Sequence, residues 1–242
     1  QWIRKMIDFY HNKAKSNQVK IVNSCGFDSI PSDIGVYFIY KDILKKDLQI
    51  SMRVTGAKGG YSGGTYASIN NIISEASKNK EIRKDLINPY GLNPEGEKNG
   101  PDKRDLSSVI FDKKIKKWIA PFLMAGINTK IVRRSNALSN YKYGKNFRYD
   151  EAVMTGDGFM GRIRGILFSI PLIFLTAKPG SIMKSIFNIL SPNPGQGPNK
   201  KEREAGYFSI RFYVFNESVN SIYKVTGDRD PGYGSTSKML AE

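Results

Sequence analysis

The stretch CGFDSIPSD, Cys25–Asp33, follows directly on an apolar, strand-like run, Val19–Asn23. Residues 2–17 space their apolar side chains as on one face of a helix. Residues 33–46 predict a second helix, with Ser32 or Asp33 as its cap. Helix, strand, turn and helix in this order are typical of half a doubly wound α/β unit. Open α/β sheets place ligands where a strand ends in small and acidic residues, so the stretch indicates a binding site. The alternative is a plain turn.

A different pattern begins near Leu48. DLQISMRV alternates strictly and predicts a strand with one face in solvent. Further on, the periodicity predicts two helices and three strands: a helix opened by the glycine loop Gly59–Thr65, a helix over Trp118–Leu138, a strand over Phe147–Met154 and the hairpin Tyr207–Phe215 with Val219–Thr226. The fold class predicted is therefore α/β plus α+β, with a mainly antiparallel second part and the boundary at Leu44–Leu48.

Composition limits the chemistry. The 242 residues hold 38 Lys and Arg against 22 Asp and Glu, a net charge of +16. Such a charge favours an anionic partner, namely nucleic acid, a membrane surface, a phosphorylated cofactor or an acyl carrier. Because the basic residues are spread along the chain, general composition explains the charge equally well. One Cys and one His cannot make a structural zinc site or an internal disulfide, so no metal site is predicted.

Three segments have both a functional and a structural interpretation. GDGFMG, Gly156–Gly161, matches the dinucleotide pattern, but no acidic residue follows it before Glu202, so we do not expect a cofactor there. The loop Gly59–Thr65 is a better anion site, or else a linker with a helix cap. The arginine pair of Arg133–Asn136 could clamp a carboxylate or phosphate, or could be a solvated helix end.

The apolar run Gly165–Ala177 is shorter than the ~20 residues that span a bilayer and carries Pro171. Arg162 and Arg164 precede it. The run therefore predicts a helix in a membrane interface or a buried core helix. No RNA-binding module signature is present, so nucleic acid is not expected as a partner.

Eight short motifs, in order along the chain, carry a resemblance to a known family. They are CGFDSIPSDIG, GGTYAS, NPYGLNP, APFLMAGINTKIVRRSNAL, YGKNFRYDEA, PGQGP, REAGYF and GDRDPGYGSTSKMLAE. Together they resemble the saccharopine dehydrogenase-like oxidoreductases, in particular the trans-acting enoyl reductase branch. Each motif is modest alone, and their order makes the set specific.

The resemblance implies a Rossmann-type NAD(P) domain whose first half, with its phosphate loop, would lie upstream of Gln1. Residues 1–46 would hold the last strand and helices of that truncated domain. Residues 47–226 would form an inserted α+β domain for substrate binding and dimerisation. Residues 227–242 would return to the Rossmann domain.

The resemblance also implies site residues. Cofactor-binding candidates lie in the opening stretch: Cys25, Gly26, Phe27, Asp28, Ser29 and Pro31. Substrate-binding candidates lie in three other motifs: Gly63, Gly64, Thr65, Ser135, Asn136 and Asp230. For catalysis, Asp28, Tyr61 or Tyr233 would donate a proton. Arg133 or Arg134 would stabilise a developing enolate.

The implied function is an NAD(P)-dependent reduction of an enoyl group on a lipid or polyketide-type substrate, with NADPH favoured as cofactor. An acyl or lipid-like small molecule is the expected partner, and a homodimer is allowed. The expected location is cytoplasmic, with peripheral membrane contact through the basic, apolar stretch Phe159–Leu190. One alternative is a saccharopine-type amino-acid dehydrogenase, whose substrate a pair of arginines would clamp. Another is a non-catalytic basic module that binds a membrane surface.

Overall fold

The computed structural model describes residues 2–59, 63–176, 181–182, 185, 189, 192–193, 195–216 and 219–242. The described strands are β1 (Gln49–Lys58), β2 (Ile110–Asp112), β3 (Lys117–Ala120), β4 (Arg148–Gly156), β5 (Tyr207–Asn216) and β6 (Val219–Gly227). The described helices are α1 (Trp2–Ser16), α2 (Ile30–Ile43), α3 (Gly63–Lys78), α4 (Lys80–Ile87), α5 (Ala125–Leu138), α6 (Gly158–Thr176), α7 (Lys200–Glu204) and α8 (Thr236–Ala241), with a π-helical turn at Pro231–Ser235.

The described strands form one six-stranded sheet in the order β2–β3–β4–β1–β5–β6. Only the central pair in the described sheet, β1 with β4, is parallel, and the other neighbours are antiparallel. The fold is therefore mixed α/β with an open, mostly antiparallel sheet. The predicted strands β1 and β4 and the β5–β6 hairpin are confirmed, as are the helices α1, α2 and α3.

The core lies where α2 and α5 cover one face of this sheet. Val36 and Ile39 of α2 pack with Ile50 of β1 and Phe212 of β5, all fully buried. A Cβ on Gly35 would lie 2.6 Å from Phe212 Cζ, so a glycine is what lets α2 approach β5. This helix, which we expected in the α/β part, thus shares its core with the sheet.

The prediction that one face of β1 is exposed to solvent is wrong. Ser51 and Arg53 point away from the core, yet both are buried. The Arg53 guanidinium bonds Asp112 at 2.9 Å and Asp150 at 2.5 Å. A buried charge is tolerated when such partners neutralise it. The alternating sequence predicted the strand correctly, but it did not predict that Arg53 is buried with Asp112 and Asp150 on the face away from the core.

The predicted strand Val19–Asn23 is not formed. These residues lie outside the described sheet, and Val19, Ile21 and Val22 are exposed. A strand persists only where a neighbour pairs with its N–H and C=O groups, and no described strand lies beside this run. The helix predicted over Trp118–Leu138 is likewise too long.

That helix begins only at Ala125, and its first predicted residues belong to β3. The cause is Pro121. A residue before proline is driven to extended backbone, so Ala120 ends a strand instead of continuing a helix. Trp118 and Ile119 then pair with Gly156 and Met154 of β4.

The helix α6 covers β3 and β4 closely because its inner residues are small. A Cβ on Gly161 would lie 2.5 Å from the backbone of Gly156, and one on Gly165 would lie 2.7 Å from Val109. Gly156 and Gly158 also have positive φ, 110° and 53°. The glycines of GDGFMG therefore serve a tight strand-to-helix turn. Among the described residues, no helix is both long and apolar enough to cross a membrane.

Candidate functional site

The stretch Cys25–Asp33 forms the tight turn that opens α2. The carbonyl of Gly26 accepts hydrogen bonds from the N–H groups of Ser29, at 3.1 Å, and Ile30, at 3.0 Å. Pro31 lies in the first turn of the helix, where its missing N–H costs nothing. Ser29 stands at the cap position, but its hydroxyl donates instead to Asn128 Oδ1 at 3.3 Å. The turn is thereby tied to α5.

Two further predicted residues of this turn, Cys25 and Asp28, are more open. Cys25 is half-buried, and its Sγ lies 3.6 Å from the carbonyl oxygen of Val22. Asp28 is exposed as a residue, while partial desolvation of its carboxyl raises the pKa above the ordinary value. A proton-donor role for Asp28 stays a prediction.

The C-terminal segment packs against the same turn. Phe27 N–H donates to Thr236 Oγ1 at 3.1 Å, and a Cβ on Gly26 would lie 2.8 Å from Thr236 Cγ2. The Phe27 ring contacts Phe208 of β5, with 4.8 Å between ring centroids. Two motifs about 200 residues apart therefore meet here through hydrogen bonding and packing.

A buried carboxyl that sequence reasoning missed lies beneath the turn. Glu151 of β4 is 2 % exposed. Tyr149 OH donates to Oε1 at 2.8 Å, Asn128 Nδ2 donates to Oε2 at 3.0 Å, and the Ser32 hydroxyl also bonds the carboxylate. Burial raises the pKa of Glu151 to about 7, although these hydrogen bonds act to lower it. The sequence feature that could have identified it is a glutamate at a position of β4 that the alternating pattern turns toward the core.

A second carboxyl lies at a cavity. Ser135 Oγ donates to Asp33 Oδ2 at 2.8 Å, whereas Asp33 Oδ1 is buried and has no hydrogen-bond partner among the described residues. Burial raises the pKa of Asp33, and the bond from Ser135 partly offsets this. Both residues line a cavity of about 560 Å³, a size typical of small-molecule sites.

The cavity lies between α1, residues 19–24, the start of α2 and α5. Its walls are mostly apolar: Ile3, Met6, Ile7, Tyr10, Val19, Ile21, Val22, Ile131 and Leu138. Its polar groups include Ser29, Asp33, Arg134 and Ser135. The arrangement fits a ligand with an apolar body and a hydrogen-bonding end.

The four residues Arg133–Asn136 divide into two pairs. Arg133 is buried, and its Nε, Nη1 and Nη2 donate to Asp102 Oδ2, the Pro89 carbonyl and the Tyr149 carbonyl at 2.6, 3.1 and 2.9 Å. Asn136 bonds the backbone of residues 143–144. Both residues anchor loops, so the predicted enolate role of Arg133 and the substrate role of Asn136 have no geometric support.

Arg134 and Ser135 belong to the cavity instead. Arg134 Nη1 donates to the Leu92 carbonyl at 2.6 Å. Burial lowers the pKa of Arg134, and the charge of Arg4 lowers it further. A partly desolvated cation beside an apolar cavity is a strong anchor for an anionic or carbonyl oxygen.

Asp230 lies elsewhere and is fully buried. Its Oδ2 accepts from the N–H groups of Tyr233, at 2.6 Å, and Gly234, at 3.3 Å. Its Oδ1 has no partner in the described part of the chain and lies against Gly59. The Tyr233 side chain is 43 % exposed and packs on Gly197. Asp230 therefore caps the π-helical turn and does not reach the cavity.

The last group is the start of α3. Gly63 N–H donates to the Gln196 carbonyl at 2.9 Å, and a Cβ on Gly63 would collide with the Asn193 backbone. Gly64 is exposed, Thr65 is half-buried, and Tyr61 lies outside the described residues. The candidate residues thus fall into three neighbourhoods: the turn with its cavity, the π-helical turn and the start of α3. Among described residues, no cluster of three or more His, Cys, Asp or Glu could hold a metal ion.

Comparison with known proteins places the chain among named relatives. No family model and no solved structure matches it. A Mycobacterium tuberculosis protein, provisionally named a trans-acting enoyl reductase, is 34 % identical over 260 residues. Trans-acting enoyl reductases of Mycobacterium bovis and Mycobacterium ulcerans are each 29 % identical, over 266 and 259 residues. These matches cover 99–100 % of this chain and 61 % of each relative. Over its whole length the chain is therefore related to proteins named trans-acting enoyl reductases. It spans about three fifths of the length of these relatives.

Proposed function

We propose that this chain belongs to an oxidoreductase that reduces the enoyl double bond of a lipid or polyketide-type substrate by hydride transfer from NAD(P)H, with NADPH favoured. The observation that carries the proposal is the similarity, across the whole chain, to proteins named trans-acting enoyl reductases. The proposal includes the saccharopine dehydrogenase-like family. It also includes a Rossmann-type origin for residues 1–46 and 227–242, around a substrate and dimerisation domain at 47–226.

A nicotinamide cofactor fits one feature of the cavity. Its carboxamide carries two N–H donors, and Asp33 Oδ1 is a buried acceptor without a partner among the described residues. The turn Cys25–Asp33 would hold the nicotinamide end through Gly26, Ser29 and Asp33. When bound, the reduced cofactor supplies a hydride.

The residues around the cavity have distinct tasks in enoyl reduction. Addition at the β-carbon leaves negative charge on the carbonyl oxygen and requires a proton at the α-carbon. Arg134 would stabilise that oxygen, since its guanidinium is partly desolvated at the cavity. The apolar residues of α1 and α5 would contact the acyl chain. Asp28, Tyr61 and Tyr233 stay the candidate proton donors, and neither Asp28 nor Tyr233 lines the cavity.

The alternative of a saccharopine-type amino-acid dehydrogenase has less support. A paired-arginine clamp needs both guanidinium groups free, and Arg133 already uses Nε, Nη1 and Nη2 inside the fold. The mostly apolar cavity wall also suits an acyl chain better than a doubly charged amino acid. We propose further a cytoplasmic location with peripheral membrane contact, and a homodimer.

The test is a fluorescence titration of the protein, extended upstream of Gln1 to include the proposed phosphate loop, with NADPH and, in parallel, NADH, followed by NADPH oxidation with an enoyl thioester. We expect saturable binding and substrate-dependent oxidation. Arg134→Gln should lower kcat/KM about tenfold or more by removing a charged hydrogen bond. Arg211→Gln, on the exposed part of β5, is the matched control and should leave it unchanged. A folded extended protein that binds neither nucleotide would refute the proposal.

A further inference from the structure

The helix α6 has the reverse of the side-chain distribution expected for a surface helix: its small residues face inward and its large apolar residues face outward. Its inner residues Gly161, Gly165 and Ser169, spaced four apart, are buried. Its large apolar residues point outward and are 40–73 % exposed: Phe159, Met160, Ile166, Leu167, Phe168, Ile170 and Ile173. An ordinary surface helix turns its large apolar residues inward. Exposed apolar patches of this kind mark an interaction surface.

Two arginines border the outward face. Arg162 and Arg164 are exposed and two positions apart, so their side chains diverge by about 200° around the helix axis, on either side of the large apolar residues. Arg162 stacks over Trp118 at 5.5 Å, which holds it at one edge. Long basic side chains at such edges reach from an apolar layer to lipid headgroups.

Charge along α6 and in the turn beside its start is positive. No Asp or Glu occurs between Asp157 and Glu202. Asp157 itself is paired with Lys117, at 2.6 Å. The turn between β2 and β3, which adjoins the start of α6 through this ion pair, adds the exposed Lys113 and Lys116. An anionic surface is the complement of this arrangement.

We infer that α6 lies flat in the interface of an anionic lipid bilayer, with its large apolar side chains among the acyl chains and Arg162 and Arg164 at the headgroups. The helix fits an in-plane position, since it is not long and apolar enough to cross. A second copy of this chain is a poorer occupant. A two-fold contact would bring four arginines together without acidic partners from α6.

This inference gives the membrane contact of the proposed function a specific surface, and its test needs neither cofactor nor substrate. If the protein does not bind vesicles, the reductase proposal is unaffected. If it does not bind nucleotide, the inference about the membrane-binding surface is unaffected.

The experiment is co-sedimentation of the full chain with vesicles of phosphatidylcholine alone or phosphatidylcholine mixed with phosphatidylglycerol, at low and high salt. We expect binding to the anionic vesicles that weakens with salt. Ile166→Gln with Ile170→Gln should reduce the vesicle-bound to free ratio about tenfold. Arg162→Gln with Arg164→Gln should reduce it on anionic vesicles only.

The matched control is Ile222→Gln with Leu240→Gln, which removes two apolar side chains of β6 and α8 that are more exposed than Ile166 and Ile170. It should bind vesicles as the unchanged chain does, and circular dichroism should show all variants folded. Three outcomes would overturn the inference: no vesicle binding by the folded chain, an equal loss in the control, or a dimer in sedimentation velocity that the Ile166 and Ile170 changes make monomeric.

Discussion

Asn128 of α5 donates a 3.0 Å hydrogen bond from Nδ2 to Glu151 Oε2 of β4, directly beneath the Cys25–Asp33 turn. The same amide accepts from Ser29 through Oδ1. One amide thus joins a buried carboxyl to the turn at the candidate site. The protonation of Glu151 therefore bears on stability and on the order of the turn.

The stability of the protein should depend on Glu151 between pH 4.5 and about 7. Its pKa is raised from 4.5 to about 7 in the folded state, so within this window the folded chain keeps a proton that the unfolded chain releases. Its contribution is fully present below pH 4.5 and is lost as the pH rises through about 7, with a total on the order of 3 kcal/mol.

Glu151→Gln should flatten this part of the pH dependence. The amide oxygen can still accept from Asn128, and the Tyr149 hydroxyl can accept from the new NH₂ group. Urea unfolding at several pH values measures the difference, with the exposed Glu204→Gln as control. Parallel curves for the unchanged chain and Glu151→Gln would contradict the raised pKa.

Replacing the adjacent arginines Arg133 and Arg134 of α5 by alanine should lower the free energy of unfolding by different amounts. Arg133→Ala leaves Asp102 buried without its cation and frees two backbone carbonyls, so the free energy of unfolding should fall by about 3–5 kcal/mol. Arg134→Ala removes one bond to a carbonyl at the cavity and should cost about 1 kcal/mol. Chemical denaturation of both variants measures the contrast. Equal losses would show that Arg133 does not hold the loop before β2.

Glycines of two helices should respond oppositely to alanine. Gly35→Ala places a Cβ 2.6 Å from Phe212 Cζ, so α2 or the ring must move, at a cost of about 1–3 kcal/mol. A Cβ on Gly126, in the first turn of α5, meets nothing within 4 Å, so Gly126→Ala should be neutral or stabilise by up to about 1 kcal/mol. Thermal unfolding distinguishes them. Equal stability of the two variants would mean that α2 does not depend on close approach to β5.

The hydroxyl of Thr236 should hold the turn to the C-terminal segment. It accepts from Phe27 N–H at 3.1 Å and donates to the Pro231 carbonyl at 3.0 Å. Thr236→Val keeps the shape but loses both bonds, so the Phe27 amide should exchange with deuterium faster and stability should fall by about 1–2 kcal/mol. Thr236→Ser keeps the hydroxyl and is the control. Unchanged exchange at Phe27 in the valine variant would show that the bond does not order the turn.

Local periodicity was enough to predict most elements, because each depends on one repeating pattern. The alternation of β5 and β6 predicted their hairpin, and the periods of α1, α2 and α3 predicted their existence. Pro121 indicates that the residues before it are extended. The helix prediction over Trp118–Leu138 followed the helical spacing of the apolar residues instead and was therefore too long. A turn after Cys25 followed by a helix was also predicted correctly, although the helix begins at Ile30 and not at Asp33.

Tertiary structure decided the rest, because it depends on partners distant in the chain. Val19–Asn23 has the residues of a strand, but no described neighbour pairs with it. Arg133 and Arg134 are adjacent and chemically identical, and only the packing of α5 sends one into the protein and the other to the cavity. The raised pKa of Glu151 arises from burial under α2 and α5. By itself, the sequence determined most of the helices and strands, since those follow from local spacing, whereas strand pairing and the direction of each polar side chain were settled only when the sheet and helices closed around them.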